Sequence, residues 1–347
     1  MTTNTLYKLY NVIALTMLLL GSVATAAEIN IYSARKEDLI KPILEKFEQE
    51  TDTKVNLITG KADALLQRLI SEGKNSPADI LITTDAGRLF RAKNAKVIQA
   101  IESDVLNKSI PEQYRDPEGY WFGLTLRARP IVYAVDRVNP EQLSSYEALA
   151  NSEWKRKICI RSSDNIYNQS LVASMLSHLG EDKTLAWTKS LVKNFARPPQ
   201  GGDRDQVKAV AAGQCDVAVI NNYYLGKMLS SKDEAQVSAA QHVKIFWPNQ
   251  DGPEHTGRGT HVNISGAAIT TSSKNKTAAI KLMEYLVSDG AQQWYAEKNL
   301  EYPIKPGIQP SEILQSWGEF KADTLSLHQL GEHNAEAVMI MDRAKWK

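Results

Sequence analysis

Residues 28–60 read EINIYSARKEDLIKPILEKFEQETDTKVNLITG, and this stretch decides the fold class. Glu28 to Tyr32 is a short extended run. Ile40, Ile43, Leu44 and Phe47 then fall at the i, i+3, i+4, i+7 spacing of one helix face, and Val55 to Ile58 returns to a strand. The succession continues with a helix carrying Leu65, Leu66, Leu69 and Ile70 on one side and the strand Ile80-Leu81-Ile82. A β-α-β-α-β order of this kind predicts a mainly parallel sheet covered by helices on both faces.

Further along, the pattern changes. Trp121-Phe122-Gly123-Leu124 and Ile131-Val132-Tyr133-Ala134 are both extended and are joined by Arg127-Ala128-Arg129-Pro130, where proline favours extended backbone before it. This segment predicts a crossing. A second α/β alternation runs from Ile158 to Ile220, the chain returns to a strand over Val262 to Ile269, and helical segments close it. The expected organisation is an α/β protein of two lobes, 27–126 with 246–302 and 127–245 with 303–347, hinged about a cleft. Ligands of such sheets sit beyond the carboxyl ends of strands, beside helix N-termini.

Composition narrows the function. The 347 residues are 43% hydrophobic and 23% charged, with 41 Lys plus Arg against 40 Asp plus Glu. So neutral a chain gives no global electrostatic case for binding nucleic acid or an anionic membrane. Lys8, the apolar run Val12 to Leu20 and Ala24-Thr25-Ala26 have the layout of a cleaved signal peptide (residues 1–26), which implies export. The two cysteines, Cys159 and Cys215, both look like strand starts; after export they either join neighbouring strands as a disulfide or remain two separate buried thiols.

Catalytic motifs are missing: the sequence has no G-x-S-x-G elbow, no phosphate-binding P-loop, no H-E-x-x-H and no G-x-G-x-x-G after a strand. The six histidines read as surface or loop residues, and the expectation is a binding protein without enzymatic activity. Tyrosine is more informative. Tyr223 and Tyr224 follow the strand Val217 to Ile220, and Tyr167 follows the strand ending near Ile160, so three phenols stand at strand ends of one lobe. Adjacent strand residues point to opposite faces, so Tyr223 and Tyr224 converge only if a turn or helix begins there. Clustered phenols suit a hard trivalent cation such as Fe³⁺, whose charge three phenolates balance. Tyrosines at strand ends also simply pack and hydrogen-bond at wet surfaces, and spacing alone leaves both readings open.

Ile31-Tyr32-Ser33-Ala34-Arg35, Ser76-Pro77-Ala78-Asp79-Ile80, Arg127-Ala128-Arg129, Gly201-Gly202-Asp203-Arg204-Asp205-Gln206, Asn222-Tyr223-Tyr224, Phe246-Trp247-Pro248-Asn249-Gln250 and Gly259-Thr260-His261-Val262-Asn263-Ile264-Ser265-Gly266 together resemble the periplasmic ferric-ion-binding proteins. These are the substrate-binding components of iron ABC transporters. The resemblance covers essentially the whole chain after the signal. It implies the type II periplasmic-binding-protein fold, Tyr167, Tyr223 and Tyr224 as Fe³⁺ ligands, and Arg127 on a synergistic carbonate or other anion. Arg129, Gly202 and Asp203 are secondary candidates near that anion. An inner-membrane ABC permease with its ATPase is the implied partner of a monomeric periplasmic protein, and iron arrives free or chelated. Some relatives have His-Tyr after the Ser-x-Arg segment; here Lys36 and Glu37 stand there, which puts a first-lobe ligand in doubt. Glu37 fits better as an acidic residue at a helix start. The same fold also holds polyamines, thiamine, sulfate or phosphonates, in aromatic boxes or at bare helix N-termini.

Overall fold

Strand β1 (Glu28–Ser33) lies between β2 (Lys54–Thr59) and β3 (Ile80–Thr84) and runs parallel to both. This is a computed structural model that describes residues 27–252 and 256–347; the apolar run and cleavage site read at the N-terminus lie outside them. Helices α1 (Lys41–Thr51) and α2 (Ala62–Glu72) make the two crossovers. The α1 stripe is buried as spaced, through Ile40, Ile43, Leu44 and Phe47. On α2, Leu65, Leu66 and Leu69 are buried, whereas Ile70, one helical step beyond, turns outward and is 39% exposed.

The parallel run stops at β3. Strand β10 (Val262–Thr270) enters between β3 and β5 (Phe122–Ala128), antiparallel to each, with β4 (Ile98–Gln99) and β11 (Tyr302–Pro303) completing a seven-stranded sheet. Parallel pairing needs a crossover on the same sheet. β10 instead arrives from the second sheet and comes back in the opposite direction. The second sheet has the order β7 (Ile158–Cys159), β8 (Val217–Val219), β6 (Ile131–Ala134), β9 (Val243–Phe246). β7 and β8 are parallel, while β6 is antiparallel to both its neighbours. Both sheets are therefore mixed. The chain passes from β5 to β6 through Arg129 and Pro130, and returns between β9 and β10. Among the described residues no helix is long and apolar enough to cross a membrane.

Helices α3 (Ala86–Asn94), α4 (Asp104–Ser109), α5 (Ile166–Leu179), α6 (Glu181–Lys193), α7 (Asp203–Ala211), α8 (Asn222–Leu229) and α9 (Glu234–Gln241) follow in order. After β10 come α10 (Lys276–Leu286), α11 (Asp289–Trp294), α12 (Glu312–Gln315), α13 (His328–Glu332) and α14 (Asn334–Arg343). α13 packs on both α3 and α5, and so joins elements flanking different sheets.

Cys159 and Cys215 form a disulfide with Cα atoms 5.8 Å apart, tying the end of β7 to the entry of β8. The bridge spans 56 residues of chain. Removing it, as a Cys159→Ala, Cys215→Ala double variant, should lower unfolding free energy by about 2–4 kcal/mol, because the open chain regains loop entropy in the unfolded state. Urea unfolding of the two proteins measures the difference, and equal midpoints would show that the bridge adds nothing.

Candidate metal centre

Each tyrosine singled out in the sequence lies in the first turn of a helix. Tyr167 is the second residue of α5, reached from β7 through a short loop, and Tyr223 and Tyr224 open α8 three residues after β8 ends. The helix start lets two consecutive phenols share a side. Asparagines fix both starts. Asn222 accepts the Ala128 N–H at 2.9 Å and donates to the Leu300 carbonyl at 3.2 Å, which docks α8 against the crossing segment. Asn168 donates to the carbonyls of Arg161 and Ser162 at 2.8 and 3.1 Å, which pins the loop leading into α5.

The result is a phenol cluster. The hydroxyls of Tyr167 and Tyr223 are 3.4 Å apart, and the rings of Tyr223 and Tyr224 pack at a 33° tilt with centroids 4.3 Å apart. All three line a cavity of about 330 Å³. Burial, followed by the charge that ionised Tyr167 and Tyr224 would carry, pushes the Tyr223 hydroxyl well above its ordinary value. Burial and Tyr167 raise Tyr224 in the same way. Tyr223 and Tyr224 therefore hold their protons until a cation displaces them. The positive N-terminal ends of α5 and α8 lie beside it and favour phenolate once one has formed.

Three guanidinium groups sit near the Tyr167 ring, with Cζ 5.2 Å from its centroid for Arg127, 5.7 Å for Arg161 and 6.0 Å for Arg129. Their commitments differ. Arg129 is mostly committed within the protein: it donates to Asn221 at 2.9 Å and to Asn168, and lies 3.5 Å from Asp203, with its buried Nε alone lacking a partner among the described residues. Arg127 donates to Ser265 at 3.2 Å, and its Nε and Nη2, both buried, have no partner among the described residues. Asp203 is buried, bonded to Arg161 at 2.8 Å and accepting the Asn221 N–H at 3.1 Å. Gly202 gives its N–H to the Asp205 carboxylate at 2.7 Å. Asp203 thus braces the start of α8, and the N–H of Gly202 is already used.

The opposite wall was not legible in the sequence. Arg35, Lys36, Asp38 and Leu39 come from the segment after β1 and Thr84 from the end of β3; Glu301, Arg204 and Lys227 complete the lining. Arg35 and Glu301 form a buried ion pair at 2.8 Å, and Thr125 donates to the same carboxylate at 2.8 Å. Burial works against the Glu301 charge, and Arg35 outweighs it, so the carboxyl stays below its usual range. Burial pulls the Lys227 ammonium down to about 8. Lys227 follows Tyr223 by four residues on α8, a helical spacing that was available as a signal. Glu37 lies outside this wall, exposed and paired with Lys41 at 2.9 Å at the start of a 3₁₀ turn. Of the histidines, His178 pairs with Asp323 at 2.8 Å, while His261 is buried rather than on a surface loop, its pKa driven down to about 3 by burial.

Among the described residues no group of three or more His, Cys, Asp or Glu side chains is arranged to hold a metal. Residues 75–316 match the bacterial extracellular solute-binding protein family. Iron uptake protein A1 of Synechocystis is 49% identical over 92% of this chain and 88% of its own length. An Fe(3+)-binding periplasmic protein of Serratia marcescens is 30% identical over 93% of each chain. A solved Trichodesmium structure, in complex with iron and citrate ligands, superposes with a TM-score of 0.89 at 47% identity, covering 92% of this chain and all of that one. By these matches the chain belongs to the bacterial extracellular solute-binding proteins and, within them, to the periplasmic ferric-ion-binding proteins.

Proposed function

We propose that this chain captures ferric iron in the periplasm through Tyr167, Tyr223 and Tyr224 and delivers it to an inner-membrane ABC permease with its ATPase. The observation that carries this reading is the convergence of three phenols from two helix N-termini on one cavity. Phenolates are hard, anionic donors, and three of them match the charge of Fe³⁺. The resemblance to iron uptake protein A1 and to the Trichodesmium complex supports the same cargo. The free Nε and Nη2 donors of Arg127 suit a carbonate or another small anion beside the iron, the bidentate contact at which guanidinium excels. In this reading the N-terminal apolar run exports the chain with cleavage near Ala26, and the monomer works as two lobes, 27–126 with 246–302 and 127–245 with 303–347. Protonation, loss of the anion or reduction to Fe²⁺ would each remove charge complementarity and release the metal.

Titrating apo-protein with ferric citrate, with and without bicarbonate, tests the proposal. A saturable visible charge-transfer band at one iron per chain is expected; its absence from the folded protein would redirect the assignment to an organic ligand. Arg127→Ala should keep the band while losing much of its dependence on bicarbonate. Arg129→Ala should act on the fold instead, costing about 1–3 kcal/mol as the buried Asn168 and Asn221 side chains lose a donor, while Asp203 keeps Arg161. Thermal unfolding of both variants beside the titrations separates the two roles, and identical behaviour would contradict it.

A further inference from the structure

Asp85 combines three features that a surface-loop residue lacks. It is fully buried, it is not glycine, and its backbone sits at φ 84°, ψ 125°, a region that L-residues seldom occupy. Such strain persists only where surrounding contacts over-determine it, and it concentrates at functional sites. Here the contacts converge on one carboxylate. It accepts the Gly87 N–H at 3.0 Å and caps α3, accepts Asn263 Nδ2 at 2.9 Å from β10, and accepts the Ser170 hydroxyl at 2.8 and 2.9 Å from α5. Ser170 is three residues beyond Tyr167 on α5, on the same side of the helix. Asn263 is the register partner of Arg127 across β10 and β5. Asp85 directly follows Thr84 of the cavity wall, and together with Arg127 and Tyr167 it lines a small closed space behind the phenols.

We infer that Asp85 is a positioning residue that sets the distance between Tyr167 and Arg127, so that metal and anion are gripped as one unit. The inference rests on the ferric reading above. One oxygen pair holds the helix that carries the phenol and the strand beside the arginine, and the strained backbone aims the carboxylate at both.

Ser170→Ala removes the α5 contact without touching a ligand, and Ser174→Ala is its control. Ser174 lies one turn along the same helix, equally buried, with its hydroxyl on Asp323 at 3.3 Å. The readouts are the bicarbonate concentration for half-maximal charge-transfer band, the position of that band, and apo-protein melting. Ser170→Ala should raise the bicarbonate requirement about tenfold and shift the band, while Ser174→Ala leaves both where they are; a tenfold change corresponds to about 1.4 kcal/mol of lost coupling. Asp85→Asn, which sets an amide against the Asn263 amide, should move both readouts the same way, and it serves if the serine variant fails to fold. Serine variants that behave alike, changed or unchanged, would reduce Asp85 to a structural brace and overturn the inference. A wild-type band indifferent to bicarbonate would do the same by removing the anion. A wild-type protein with no band would overturn the ferric reading itself, and the inference with it.

Discussion

A chain carrying Tyr223→Phe and Tyr224→Phe should titrate with ferric citrate without developing a charge-transfer band, and its iron affinity should fall by well over 100-fold. Replacing groups that merely orient a metal ligand already costs about 10–100-fold; this variant removes two ligands outright and leaves Fe³⁺ with a single phenolate. The loss would not be a folding artefact. Phenylalanine keeps the ring contact now made at 4.3 Å, and it deletes hydroxyls that burial already disfavours as anions. Apo-protein melting should therefore stay close to wild type. Tyr223→Phe alone should fall between the two, with a weaker and shifted band, because its hydroxyl lies 3.4 Å from that of Tyr167 at the centre of the cluster. Iron bound by the double variant with undiminished affinity would show that other groups hold the metal.

The phenol cluster was legible because short apolar runs mark where strands end, and the geometry of the next few residues is set locally. Val217–Val219 ends, Asn221 and Asn222 come next, and of the turn or helix start that could bring consecutive tyrosines together the chain takes the helix start. The α1 stripe was legible for the same reason, with Ile40, Ile43, Leu44 and Phe47 buried at their helical spacing. Features that depend on distant segments were not. The antiparallel entry of β10 is decided by where the chain returns from the second sheet, which no local pattern records. Glu301 and Arg35 are 266 residues apart, and nothing about either alone predicts that they meet at 2.8 Å beside the tyrosines. The distinction between Arg127 and Arg129 rested on resemblance in the sequence. In the structure it comes from the neighbours each side chain meets: Arg129, just past the end of β5, bonds Asn168 and Asn221 and lies beside Asp203, while two Arg127 donors have no partner among the described residues. The φ of Asp85 has no sequence signature, since any residue type but glycine would be surprising there.

Iron retention should fall steeply as pH drops, while the fold survives. Burial and mutual charge raise Tyr223 and Tyr224 above the ordinary phenol value near 10. Tyr223 and Tyr224 are therefore protonated in the apo-protein at neutral pH, and binding through their phenolates must expel one proton from each. Each proton expelled makes the apparent affinity fall about tenfold per unit decrease in pH, so Tyr223 and Tyr224 alone give about 100-fold per unit. The slope should hold across the whole neutral and acidic range, since neither phenol ionises in the apo-protein there. Stability runs on different groups. Raised tyrosine pKa values contribute stability that is present below about pH 10 and lost only as pH rises beyond it, which leaves the fold untouched on acidification. Glu301, held low by Arg35, contributes stability present above the unfolded carboxyl value near 4.3 and lost as pH falls through its folded value. Between about pH 5 and 8 neither set weakens the fold; buried His261, which stays neutral when folded, takes away some stability as pH falls below its unfolded value near 6.5. Iron partitioning against citrate, corrected for citrate's own protonation and followed beside intrinsic tryptophan fluorescence, reads both quantities in one experiment. Retention that falls while the fluorescence holds would make acidification a release route that needs no unfolding. An affinity flat in pH would show that iron binds without deprotonating the tyrosines, and would remove the phenolate cluster as its ligand set.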